Sequence, residues 1–140
     1  MAESTPTAAP ALDQDSFLPQ STVLIVDDNP QNIELLEAFL EALPVKLETA
    51  ADGVEALEKV AQHNPDLILL DVMMPRMDGY EATLEIRKMA NFSKLPIIAL
   101  TAKAMKGDKE KCLAVGMSDY ISKPVNVEQL LSLMRVWLYR

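Results

Sequence analysis

Runs of four consecutive aliphatic residues recur three times in this chain, as Val23-Leu24-Ile25-Val26, Leu67-Ile68-Leu69-Leu70 and Ile97-Ile98-Ala99-Leu100. A strand with one face in water alternates apolar and polar residues, whereas a strand apolar throughout needs cover on both faces. Between the runs the period changes to that of a helix. Ile33, Leu36, Phe39, Leu40 and Leu43 share one helical face, and Val54, Leu57 and Val60 form the inner stripe of a second helix. Tyr80 to Met89 reads as a third. A fourth runs from about Asp108 and closes at Gly116, a residue suited to a helix end. The last helix, capped by Asn126, turns Leu130, Leu133, Met134 and Trp137 inward. Weaker strands fall at Val45 to Ala50 and at Tyr120-Ile121-Ser122. Five strands alternating with five helices predict an α/β fold: a doubly wound, five-stranded parallel sheet with helices on both faces.

Local punctuation agrees with this division. Asn29-Pro30 starts the first helix, since proline suits the first helical position, and Pro44 stops it. Asp52 caps the second helix with Glu55 three residues on, and Asn64-Pro65 ends it. Met73-Met74-Pro75-Arg76-Met77-Asp78-Gly79 reads as a loop, with Pro and Asp-Gly as turn signals.

The length of 140 residues suits one domain. Residues 1–21, rich in Ala, Pro, Ser and Thr, lack either periodicity and read as a disordered leader, so the folded domain is expected over 22–140. No run reaches the roughly 20 apolar residues of a membrane span, and no basic residue precedes Lys46, so a secretory signal is not expected. One cysteine, Cys112, excludes an internal disulfide and any multi-cysteine metal site. A reducing, cytoplasmic location follows as an expectation. The formal charge of −8 disfavours direct contact with nucleic acid or an anionic membrane.

In open parallel sheets, ligands bind beyond the carboxyl ends of the strands. The residues there are Asp27 and Asp28, Asp71, Thr101 and Lys123. Two carboxylates 4 Å apart repel by roughly 4 kcal/mol at an effective dielectric of about 20, so three together call for a counter-charge. A hard divalent cation with oxygen ligands supplies it, and Mg²⁺ suits a site with few carboxylates and a phosphoryl substrate. A carboxylate beside such an ion and a lysine is arranged as a nucleophile for phosphoryl transfer.

The stretches VLIVDDNPQN, LILLDVMMPRMDGYE, IIALTAKAMKGD and GMSDYISKPV resemble the receiver family of two-component signalling, over residues 22–140. Their joint occurrence in this order is highly specific. The resemblance implies a flavodoxin-like receiver fold with Asp71 as phosphoacceptor. It implies Mg²⁺ (or Mn²⁺) held by Asp28 directly, by Asp27 mainly through a water, by Asp71, and by the backbone carbonyl of Met73. Lys123 would contact the phosphoryl group, with a cis Lys123-Pro124 bond. Thr101 and Tyr120 would be the switch pair. The implied role is a phosphoacceptor switch rather than an enzyme. Its donor would be a histidine kinase or a histidine phosphotransfer protein, and its output a downstream protein or onward transfer. Met73 and Lys103 would border the path of the water that hydrolyses the phosphoryl group.

Two rival classes fail on single residues. A dehalogenase-like phosphatase needs a carboxylate two residues after its nucleophile, where this chain has Met73, which cannot transfer a proton. A flavin or nucleotide carrier needs a phosphate-binding loop after its first strand, where Asp27-Asp28-Asn29-Pro30 would repel phosphate.

Overall fold

The computed structural model describes residues 20–74, 76–102 and 106–138. The expected leader lies outside them except for its last two residues. Five strands are present: β1 (Ser21–Val26), β2 (Val45–Ala50), β3 (Leu67–Asp71), β4 (Ile97–Thr101) and β5 (Asp119–Ser122). They alternate with α1 (Pro30–Leu40), α2 (Gly53–His63), α3 (Gly79–Lys88), α4 (Lys106–Ala114) and α5 (Val127–Leu138). All strand pairs are parallel, in the order β2-β1-β3-β4-β5.

Period-two alternation within each apolar strand builds two separate cores. Leu24, Val26, Ile68, Leu70, Ile97 and Ala99 pack with Ala56 and Val60 of α2, Ala82 and Ile86 of α3, and Cys112 of α4. Val23, Ile25, Leu67, Leu69, Ile98 and Leu100 pack with Leu36 and Leu40 of α1 and Leu130 and Met134 of α5. Both sheet faces are therefore covered, which is what the uninterrupted apolar runs require.

Several boundaries move from expectation. β1 starts at Ser21, inside the segment read as leader, because Ser21 pairs in register with Val45. Its neighbour Thr22 is anchored too: its N–H donates to Asp66 Oδ2 at 2.8 Å, and its carbonyl accepts from Asp66 N at 2.8 Å. In α2 the buried residues are Gly53, Ala56 and Val60, whereas Val54 and Leu57 are half-buried. This helix packs against α3 as well as the sheet, and the small Ala56 is fully buried in the core that the two helices share. Asp78-Gly79 is a helix start rather than a free turn: Asp78 and Glu81 form a reciprocal capping box. α4 already includes Lys106, two residues before the expected start; its sequence KGDKEKCLA offers almost no apolar stripe from which to place it. Gly116 ends that region at φ +103°, a conformation that favours glycine.

Candidate functional site

Strands β1 and β3 are neighbours, and the connections from each leave toward opposite sides of the sheet, which opens a crevice at their carboxyl ends. Asp27, Asp28 and Asp71 meet there, with one carboxylate oxygen from each lying within 4.8 Å of the others. Lys123, arriving from the end of β5, places Nζ 3.2 Å from Asp71 Oδ1 and 3.3 Å from Asp27 Oδ2. Four residues that span 96 positions of sequence thus form one cluster, as strand-end reasoning expected.

Local structure holds each side chain. Asp27 is buried, and its Oδ1 accepts the Asn29 N–H at 2.9 Å. Asn29 in turn caps α1 through Gln31 N. Asn32 reaches back from the first turn of α1, with Nδ2 at 3.3 Å from Asp27 Oδ2. The sequence reading missed Asn32, although its place in the first turn after Asp27-Asp28 was available as a signal. Asp28 is exposed, as a residue meant to meet a solvated ion would be. Asp71 ends β3, and the chain turns back at once: Gly79 N donates to Val72 O at 2.8 Å. A Cβ on Gly79 would lie 2.7 Å from the Asp71 carbonyl oxygen, so α3 starts against the acceptor strand only because that residue has no side chain. Lys123 is fixed through its backbone, with N donating to Thr101 O at 2.7 Å, and the Lys123-Pro124 bond is cis.

Thr101 is buried at the end of β4 and lines a cleft with Val72, Met73, Tyr80, Ala102 and Asp108, alongside the acceptor. The Met73 side chain projects into solvent at its rim, with the residue 73% exposed. Tyr120 stands apart from this cleft. It is half-buried on β5 against the core, with Lys109 Nζ 5.4 Å from its ring centroid. Lys103 lies outside the described residues. His63, in the last turn of α2, pairs with Glu48 at 3.5 Å, far from any role in the cluster, and Cys112 is a buried free thiol.

The cluster is electrostatically unbalanced. Burial, and then the Asp27 charge beside it, push the Asp71 carboxyl up to about 6, even though Lys123 opposes both. For Lys123, burial works against the charged form, but Asp71 and Asp27 outweigh it and hold the ammonium above its ordinary pKa. Three carboxylates against one ammonium leave an excess of negative charge at a water-accessible edge. All-oxygen ligands with that excess fit a hard divalent cation.

A family profile described as the response regulator receiver domain matches residues 23–135. The signal transduction histidine-protein kinase BarA of Escherichia coli K12 is 45% identical over 113 residues, which cover 81% of this chain but 12% of that kinase. The chain therefore corresponds to a small part of such relatives. Among solved structures, the receiver domain of the sensor histidine kinase PA1611 from Pseudomonas aeruginosa PAO1 superposes with a TM-score of 0.80 at 40% identity, covering 87% of this chain and 100% of that one. That structure has a magnesium ion coordinated in its active-site cleft. The receiver domain of Saccharomyces cerevisiae Ssk1, co-crystallised with the histidine phosphotransfer protein Ypd1, gives a TM-score of 0.80 at 32% identity, covering 87% and 91% of the two chains.

Proposed function

The chain belongs to the response regulator receiver family, the phosphoacceptor domains of two-component signalling, and we propose on that premise that Asp71 is its phosphoacceptor. The observation that carries this is the Asp71 carboxylate, buried in a cluster of three acids with the Lys123 ammonium 3.2 Å away.

An Asp71 carboxylate oxygen attacks the phosphorus of a phosphohistidine. The new O–P bond forms as the N–P bond breaks, and the electron pair leaves with the imidazole, which takes up a proton. Lys123 donates to the phosphoryl oxygens as charge develops on them. Asp27, Asp28, Asp71 and the Met73 carbonyl would hold Mg²⁺, with Mn²⁺ as a substitute of the same coordination class. When bound, that ion supplies charge neutralisation at the phosphoryl oxygens. Asn32 and the Asn29 N–H keep Asp27 turned toward the cluster. Thr101, at the mouth of the cleft beside Asp71, is the hydroxyl that senses the new phosphoryl group, and Tyr120 is the aromatic that responds on the adjoining strand.

The donor is a histidine kinase or a histidine phosphotransfer protein, and the output is contact with a downstream protein or transfer onward. The protein does not turn over a substrate as an enzyme; Met73, two residues past the nucleophile, offers no proton for a phosphatase cycle. The net charge of −8 disfavours direct binding to nucleic acid. Among the described residues no helix is long and apolar enough to cross a membrane, and a cytoplasmic location follows from the phosphohistidine donor.

Intact mass after incubation with acetyl phosphate tests the reading. Wild type should gain one phosphoryl group only when Mg²⁺ is present, and Asp71→Asn should gain none. Modification of the Asn variant to the same extent would show that the acceptor lies elsewhere.

A further inference from the structure

The loop from Val72 to Asp78 carries the Met73 carbonyl, and the sheet holds its start, where Met73 N also donates to Asp71 Oδ1 at 3.4 Å. Val72 N donates to Leu100 O at 3.1 Å, and Gly79 N closes back on Val72 O. The outer part of the loop rests instead on the start of α2, an element that gives nothing to the acidic cluster. Arg76 Nε and Nη2 both donate to Asp52 Oδ2, at 2.8 and 2.5 Å. The other oxygen of the same carboxylate, Oδ1, accepts Glu55 N at 2.9 Å and caps α2. Beside it, Gly53 N donates to Met77 O at 3.2 Å, where a Cβ on Gly53 would stand 2.6 Å from that oxygen.

Arg76 adopts φ +65°, a left-handed conformation that costs a non-glycine residue and persists where the surroundings impose it. Its partner Asp52 is buried, and the Glu55 N–H, helped by Arg76, holds its carboxyl below the usual range. A helix-anchored anion therefore grips Arg76 of the acceptor loop. The Arg76 side chain is 62% exposed, so the pair contributes little to global stability. What it can set is the position of the loop.

We propose that Asp52 and Arg76 are positioning residues that brace the acceptor loop on α2, so that the Met73 carbonyl is presented to the divalent cation. They tune cation affinity without touching the ion, the phosphoryl group or Asp71. The inference rests on the cation-assisted reading above.

Three variants separate this from a structural role. Asp52→Asn keeps a good helix cap while losing the charge. Arg76→Gly removes the guanidinium and relieves the positive φ. Arg76→Lys keeps the charge but loses the two-pronged geometry. The Mg²⁺ dissociation constant of the unphosphorylated protein is read by calorimetric titration, with the urea midpoint recorded alongside. The Asn and Gly variants should weaken Mg²⁺ about threefold to tenfold, with Lys between them and wild type, at near-constant midpoint. The double variant Asp52→Asn/Arg76→Gly should lose no more than the weaker single one. Phosphorylation by acetyl phosphate should slow at low Mg²⁺ and recover at saturation. Changes in Mg²⁺ affinity of under about twofold in both single variants, or losses that add in the double, overturn the brace. If wild type itself binds no Mg²⁺, the cation reading falls and the brace with it; if wild type binds and the variants are unaltered, only the brace falls.

Discussion

Replacing Asp71 by Asn should make the metal-free protein more stable at neutral pH while abolishing its proposed function. The amide has the shape of the protonated acid but cannot ionise. Asp71 sits at about 6 in the folded chain against 3.8 when unperturbed, because it is buried and faces Asp27. That displacement corresponds to about 3 kcal/mol of penalty on the ionised form at pH 7. The figure already contains the attraction of Lys123, one of the groups opposing the shift. It is an upper value, since side chains relax around the charge. The folded state binds more protons than the unfolded one between these two pKa values. Wild-type stability from this group therefore falls as pH rises through the window from about 4 to 6, and the Asn variant lacks that fall. Urea unfolding in the presence of a chelator measures the effect. With a slope of about 2 kcal/mol per molar, the variant's midpoint should rise by about 1 to 1.5 M at pH 7 and by much less near pH 4. Millimolar Mg²⁺ should narrow the gap at pH 7 by stabilising wild type more. A variant less stable than wild type at pH 7, or a gap that stays constant down to pH 4, would refute the reasoning that the acidic cluster is held against its own repulsion.

Other sites respond in distinct ways. Gly79→Ala should cost about 1 to 3 kcal/mol and slow phosphorylation, because the added methyl meets the Asp71 oxygen and Val72 Cα, at 2.7 and 2.9 Å, and neither can swing aside; unchanged thermal melting would show that α3 shifts freely. Met73→Asn should shorten the phosphoryl lifetime, since an amide at this exposed rim can orient a water and a thioether cannot; equal decay of the phosphorylated proteins counts against it. Leu70→Ala should destabilise by about 2 to 5 kcal/mol through a core cavity under Asp71, checked by urea unfolding. Phosphorylation should move amide shifts on the face formed by α4, β5 and α5, which carries Tyr120 and borders Thr101; static shifts there would place the output elsewhere.

The acidic cluster was legible because two rules of the chain intersect. Period-two burial on both faces marks β1, β3 and β4 in their own composition, and a strand's end is a local property. Once the strands are parallel, Asp27, Asp28, Asp71, Thr101 and Lys123 must share an edge, whatever the helices do. The expected α2 stripe was a poorer guide, because Val54 and Leu57 look like core residues but are half-buried, while the small Ala56 is fully buried. α4 had no clear start for a related reason: only Cys112 among its apolar residues is fully buried.

Asp52 shows where reading along the chain stops. Its role as a helix cap was visible, since the partner, Glu55, lies three residues on. Its grip on Arg76, 24 residues away, was not, and neither was the left-handed backbone at Arg76 that the grip sustains. Asn32 beside Asp27 belongs to the same class. Strand order, the closure of Asp71 with Lys123 and the brace on the acceptor loop are all products of chain segments meeting in space. Periodicity and capping act over a few residues and are written in composition, whereas hydrogen bonds between distant segments depend on distances that exist only after the sheet has packed its helices.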